Sequence, residues 1–182
     1  MTLDDKSDAE LVRLFKKGDE RAFDAIVLRF QDRIFRLASV WLYDAQNAPD
    51  ATQEVFVRSH KGLRKFHFRA APFTWLYRTT RLVCHEFNRR RRSEPLDDEP
   101  VDSESSPERH VAEHDAALRV RKFVSELPER QREVVMLRVF EELSVRDAAQ
   151  AMGCREGTVK ALLHKAMARL KLDMNEAGFA ND

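Results

Sequence analysis

Between Leu63 and Arg81 the chain reads LRKFHFRAAPFTWLYRTTR, placing Arg64, Lys65, Arg69, Arg78 and Arg81 among Phe66, Phe68, Phe73, Trp75 and Tyr77. Cationic side chains neutralise backbone phosphates and aromatic faces stack on unpaired bases, so this mixture suits single-stranded nucleic acid. Phe66 to Pro72 reads as a loop, which leaves Phe66, His67, Phe68 and Arg69 able to meet an extruded base. Phe73, Trp75 and Leu76 fit a core stripe better than a ligand surface, whereas the outward arginines fit the surface. The run Arg89 to Arg92 reads as the end of a basic helix facing phosphates.

One other constellation invites a chemical reading. His110-Val111-Ala112-Glu113-His114 matches the H-x-x-E-H pattern of inverted zinc peptidases, with both histidines on one helical face. No third ligand accompanies it, and chance occurrence in a charged helix explains it. Neither a nucleophile constellation nor a phosphate-cradling glycine loop is visible. The expectation is therefore no catalytic residue, no metal and no cofactor: a binding protein and not an enzyme. Cys84 and Cys154 lie far apart without metal-ligand spacing, which points to free, buried thiols in a reducing cytosol.

The elements that must position these residues are helical. Five glycines in 182 residues disfavour a many-turned β fold. Ser7-Asp8-Ala9-Glu10 is a capping box, opening a short helix that Gly18 stops. A second helix from Asp19 carries Phe23, Ile26, Val27, Phe30, Ile34, Leu37, Ala38 and Trp41 at steps of three and four. A third begins at Pro49, includes Val55 and Phe56, and ends around Gly62. A fourth starts at Pro72 and finishes in the arginines. Further helices are predicted over 107–126, 128–141, 145–152 and 156–171. Every apolar run is broken by charge well short of a membrane span, and no signal peptide opens the sequence, so neither membrane insertion nor export is expected.

Net charge is only +1, but the distribution is polar. From Arg58 to Arg92 the one acid is Glu86, and from Ser93 to Ala117 nine acids oppose Arg109 alone. Residues 93–106 hold two prolines and little to bury, which reads as a flexible acidic linker. The fold expected is all-α: a helical bundle over 1–92, the linker over 93–106, and a second small helical domain over 107–182.

In the second domain, Ser144 to Asp147 is another capping box and Gly153 suits a left-handed stop. A longer helix follows, with Val159, Leu163, Ala166 and Leu170 inward and Thr158, Lys160, Ala161, His164, Lys165 and Arg169 outward. A short helix, a glycine turn and a second helix with a cationic face form a helix-turn-helix, whose last helix fits the major groove. A helical hairpin with merely solvated charges is the plain alternative.

The combination resembles the extracytoplasmic-function sigma factors of bacterial RNA polymerase. The resemblance covers roughly Asp19 to Arg92 and Leu127 to Lys171. It rests on DATQEVFVRSH at 50–60, PFTWLYRTTR at 72–81, LPERQREVVMLR at 127–138 and LSVRDAAQAMGCREGTVKALLHKAMARL at 143–170. It implies that Asp50, Gln53, Glu54 and Phe56 contact a coiled coil of the core polymerase clamp, although Phe56 also suits the core. It assigns Phe66, His67, Phe68, Arg69, Trp75, Arg78, Arg81, Arg89 and Arg90 to opening and reading the −10 promoter element. It gives the −35 element to Arg155, Glu156, Thr158, Lys160, Ala161, His164 and Lys165. The acidic linker would thread a basic polymerase channel. Core polymerase, promoter DNA and an anti-sigma factor are the implied partners, in a bacterial cytoplasm. Three positions depart from the pattern: Arg155 replaces a capping Ser or Asn, Ala161-Leu162 replaces a Ser-Arg pair, and Leu82 stands where Asn is frequent. A decoy that binds only an anti-sigma factor would need a receiver domain, for which there is no room. A stand-alone repressor would leave DATQEVF and WLYR without a role.

Overall fold

The computed structural model describes residues 2–93, 120 and 122–176, which contain helices and no strand. The acidic stretch from Glu94 onward and the His110–His114 motif lie outside the described residues. After a single turn at Leu3–Asp5, helices α1 (Asp8–Lys16), α2 (Glu20–Trp41), α3 (Ala48–Arg64) and α4 (Pro72–Ser93) form a first lobe. Residues 122–126, α5 (Glu129–Val135) with a π-helical extension (Met136–Phe140), α6 (Val145–Met152) and α7 (Glu156–Glu176) form a second.

The predicted caps are in place. Ser7 Oγ accepts from the Glu10 amide at 3.3 Å and the Glu10 carboxylate accepts from the Ser7 amide at 2.8 Å. Ser144 Oγ accepts from the Asp147 amide at 3.0 Å. Gly18 (φ +101°) and Gly153 (φ +63°) both occupy the left-handed region that lets the chain leave a helix. The apolar stripe of α2 becomes the axis of the first lobe: Ile26, Phe30, Ile34, Leu37 and Ala38 are fully buried, against Phe15 of α1, Val55 and Leu63 of α3, and Leu76 of α4. In the second lobe Val134, Leu137, Ala148, Val159 and Ala166 are fully buried.

Three expectations are corrected. The third helix does not end at Gly62 but runs on to Arg64, because Gly62 serves packing and not termination. A Cβ at Gly62 would lie 2.4 Å from a ring carbon of Trp75, so only glycine lets that indole lie across the helix. The last helix extends to Glu176, beyond the predicted Lys171. Cys154 is only half-buried, unlike Cys84, whose thiol is 1% exposed and pushed up to about 12 by burial.

Candidate polymerase and nucleic-acid surfaces

The outer face of α3 carries Asp50, Gln53 and Val57, all exposed, at helical spacing. Val57 is 60% exposed, an apolar side chain stranded among polar ones. Glu54 is tied inward: its carboxylate accepts from Arg58 Nε at 2.6 Å, while Arg58 also grips Glu86 of α4 through both terminal nitrogens at 2.9 and 2.7 Å. Phe56 is 9% exposed and packs in the core, away from this face. The Arg58 hydrogen bonds hold the Glu86 carboxyl below its ordinary 4.5, and the Arg58 guanidinium is correspondingly raised by Glu86 and Glu54. A carboxyl depressed on folding contributes stability above its unfolded pKa, which disappears as pH falls through the folded value. Glu86→Gln should therefore be less stable than wild type at neutral pH, with the gap closing below about pH 4.5. Urea melts at a series of pH values would show it; a constant gap would remove the ion pair as its source.

The loop after α3 rests on aromatic packing. Phe66 is 6% exposed, its ring edge-on to Phe68 at 5.0 Å and to Trp75 at 6.4 Å. Lys16 of α1 donates to the Phe66 carbonyl at 2.5 Å. Phe68 holds a left-handed backbone (φ 55°), a conformation that costs a non-glycine residue about 1–3 kcal/mol. Arg13 and Lys16 lie 5.0 and 5.5 Å from its ring centre and help to hold it there. His67 and Arg69 are exposed. Phe66 and Trp75 thus form the base of the loop, with His67, Phe68 and Arg69 above them. The contribution of α1 was not legible, because nothing local marks Arg13 or Lys16 as loop supports.

Along α4, Arg89 and Arg90 are exposed, and Arg90 lies 5.8 Å from the Phe87 ring centre. Arg78 and Arg81 turn toward the second lobe. Arg78 donates to the Gln150 carbonyl and to the Ala151 carbonyl at 3.3 Å. Arg81 reaches Glu129 at 3.1 Å and Glu133 at 3.3 Å. Tyr77, 1% exposed, donates its hydroxyl to Glu133 at 3.0 Å. Burial, then the Glu133 charge, push the Tyr77 phenol well above its ordinary value. Burial pulls Arg81 down, but the Glu133 charge and the bond to Glu129 outweigh it, leaving its guanidinium raised. From sequence Tyr77 stood out only as one of the aromatics interleaved with cations, and its pairing with Glu133 was not legible, since a tyrosine and a glutamate on separate amphipathic helices carry no pairing signal.

On α7, Glu156, Thr158, Lys160, Ala161, His164 and Lys165 are all exposed, as is Arg155 just before it. Without a side-chain cap at Arg155, its backbone carbonyl accepts from the amides of Thr158 (2.9 Å) and Val159 (3.2 Å). Arg155, Lys160 and Lys165 form no ion pair among the described residues. The inward set Val159, Ala166 and Leu170 fixes which side faces out. The described residues contain no cluster of metal-ligating side chains and no helix long and apolar enough to cross a membrane.

A four-helix lobe with a basic, aromatic-backed loop, joined in one chain to a helix-turn-helix, is the architecture of a promoter-reading factor. The sigma-70 region 2 family matches residues 26–94 and the sigma-70 region 4 family matches 117–170. The RNA polymerase sigma-H factor of Pseudomonas aeruginosa is 34% identical over 177 residues, covering 90% of this chain and 92% of that one. The ECF RNA polymerase sigma factor SigM of Mycobacterium tuberculosis is 31% identical over 166 residues, covering 91% of this chain and 84% of its own. A solved structure of CnrH in complex with the cytosolic domain of CnrY has a TM-score of 0.74 at 22% identity, covering 94% of this chain and 99% of CnrH. The chain belongs to the sigma-70 family, among its extracytoplasmic-function members. It is a sigma factor: an initiation factor that binds core RNA polymerase and promoter DNA and directs promoter-specific transcription, not an enzyme.

Proposed function

We propose how the labour is divided within the chain. Residues 1–92 bind the polymerase clamp and capture the melted −10 strand; 93–106 form the linker; 107–182 read the −35 duplex. Asp50, Gln53, Glu54 and the exposed Val57 supply the clamp contact, with Phe56 supporting α3 from within. His67, Phe68 and Arg69, above the Phe66–Trp75 base, take an extruded base, while Arg78, Arg81, Arg89 and Arg90 follow the strand's phosphates. On α7, Arg155, Glu156, Thr158, Lys160, Ala161, His164 and Lys165 enter the major groove. The observation that carries this reading is the fully exposed outer face of α7 directly behind the glycine turn at Gly153. The solved CnrH structure holds a cytosolic partner domain. We infer that an anti-sigma factor likewise controls this chain, in the cytoplasm and in response to stress.

In vitro transcription with core polymerase on fragmented bacterial DNA tests the whole reading. New, protein-dependent start sites should share two spaced elements; core binding without transcripts would leave only a decoy. Lys160→Ala and Lys165→Ala should each weaken promoter binding and lower the slope of log affinity against log salt by about one. Salt titrations with unchanged slopes would take those lysines off the phosphates.

A further inference from the structure

The loop between α3 and α4 owes its shape to other parts of the chain. Phe68 keeps φ at 55°, inside the left-handed region that a phenylalanine avoids on its own. His67 and Arg69, on either side of it, are both exposed, so this one backbone conformation decides where the loop presents them. The half-buried Phe68 ring rests edge-on against Phe66 at 5.0 Å, and Arg13 and Lys16 of α1 stand 5.0 and 5.5 Å from its centre. Lys16 also donates to the Phe66 carbonyl at 2.5 Å, and the Gln150 amide donates to the Arg69 carbonyl at 2.8 Å. Lys16 therefore grips the loop twice, once by a ring and once by the backbone. Helix α1 suits this task because it is itself fixed. Leu11, Val12 and Phe15 are fully buried, the Ser7 box closes its start, and Arg29 of α2 pins that end through the Asp8 carboxylate at 2.9 Å and the Lys6 carbonyl at 2.7 Å. Arg13 and Lys16, three residues apart, share the exposed face of α1. Neither forms an ion pair among the described residues, which leaves their charge to the Phe68 ring and the loop carbonyl.

We propose that Arg13 and Lys16 are positioning residues for base capture. They act through Phe68 and not on the base, keeping the loop in the conformation that receives it. A loop that is competent only part of the time binds more weakly by that fraction. Loss of these cations should therefore appear as weaker capture of the extruded base, whereas loss of a plain phosphate contact would weaken binding whether or not a base is there to capture. What the ring and the carbonyl require is a cationic donor, which an arginine at position 16 also supplies. The first lobe thus devotes a separate helix to holding its specificity loop, and α1 joins the reading machinery without touching DNA. This role rests on the assignment of the 66–71 loop to base capture.

Removing the base in place of the side chain tests it, with the full chain bound to core polymerase. The probes are fluorescent non-template oligonucleotides spanning the −10 element of a promoter mapped by in vitro transcription, either intact or with one abasic site at each position in turn. Wild type should lose affinity sharply at one abasic position, the captured base. On the intact strand Arg13→Met/Lys16→Met should bind about tenfold more weakly than wild type, and on the strand lacking the captured base the two should bind alike. The ratio of the two affinities within each protein cancels any change in folding or core binding. Lys16→Arg should keep the wild-type ratio and Lys16→Met should not. An equal loss on intact and abasic strands would make these cations ordinary phosphate contacts and overturn the positioning role, as would an unchanged ratio in the double variant, while base capture would stand. If wild type bound every abasic strand as well as the intact one, base capture and its positioning would fall together.

Discussion

Val57→Asp is expected to weaken binding to core RNA polymerase by roughly 30- to 1,000-fold, about 2–4 kcal/mol, without disturbing the fold. The exposed part of α3 is polar except at Val57, where more than half of the side chain meets solvent amid Asp50, Gln53 and Glu54. An apolar side chain at the centre of a polar ring is the composition of a binding hot spot, because its desolvation is favourable only when a partner covers it. Asp at this position replaces that favourable burial with the burial of an unpaired charge. Glu54 is the poorer choice of probe. A charge reversal there would also break its bond to Arg58 and load a second cation beside the Arg58–Glu86 brace, so lost binding could reflect a loosened α3–α4 pair. Val57 touches no such brace, and its melting temperature should match wild type. Titrating labelled protein with core polymerase gives the affinity. An unchanged value would remove the outer face of α3 from the clamp contact.

The periodic features of the chain were legible because they obey local rules. The α2 stripe, the Ser7 and Ser144 caps and the Gly153 turn each follow from spacing within one helix or one turn, and each is in place. Which face of α7 looks outward followed from the same arithmetic. Gly62 shows where local reading fails. A glycine near a helix end suggests a stop, yet here it answers to Trp75, thirteen residues on, which no propensity registers. Arg78 and Arg81 show the second limit: sequence identifies a cation and its face, but not whether phosphate or carboxylate currently holds it. Phe56 and Phe66 show the third, since both sit in motifs that suggest contact, while their exposures of only 9% and 6% make them supports for their neighbours. The surface residues of the site were found by type; the residues that shape it needed the packing.

Gly62→Ala should lower the stability of the first lobe even though alanine is the better helix former. Two effects of opposite sign compete at this position. Replacing a glycine inside α3 gains about 1 kcal/mol of helix propensity. Against it, the new methyl would sit 2.4 and 2.5 Å from two ring carbons of Trp75, where contacts normally lie near 3.5–4.0 Å. An indole is rigid and cannot yield at its tip, so the whole ring must shift by about 1 Å, at the upper end of the roughly 1–3 kcal/mol typical of overpacking. The clash wins, leaving a net loss of about 2 kcal/mol and a fall in melting temperature of roughly 8–15 °C. Because Trp75 also forms the base under Phe66, the same shift should disturb the 66–71 loop and weaken single-strand binding in parallel. Trp75→Leu is the control: alone it destabilises by opening a cavity, but combined with Gly62→Ala it should lose less than the sum, with a coupling of at least about 1 kcal/mol. Strict additivity in that cycle, or a raised melting temperature for Gly62→Ala, would mean that the indole swings clear without cost and that the loop is not anchored on it.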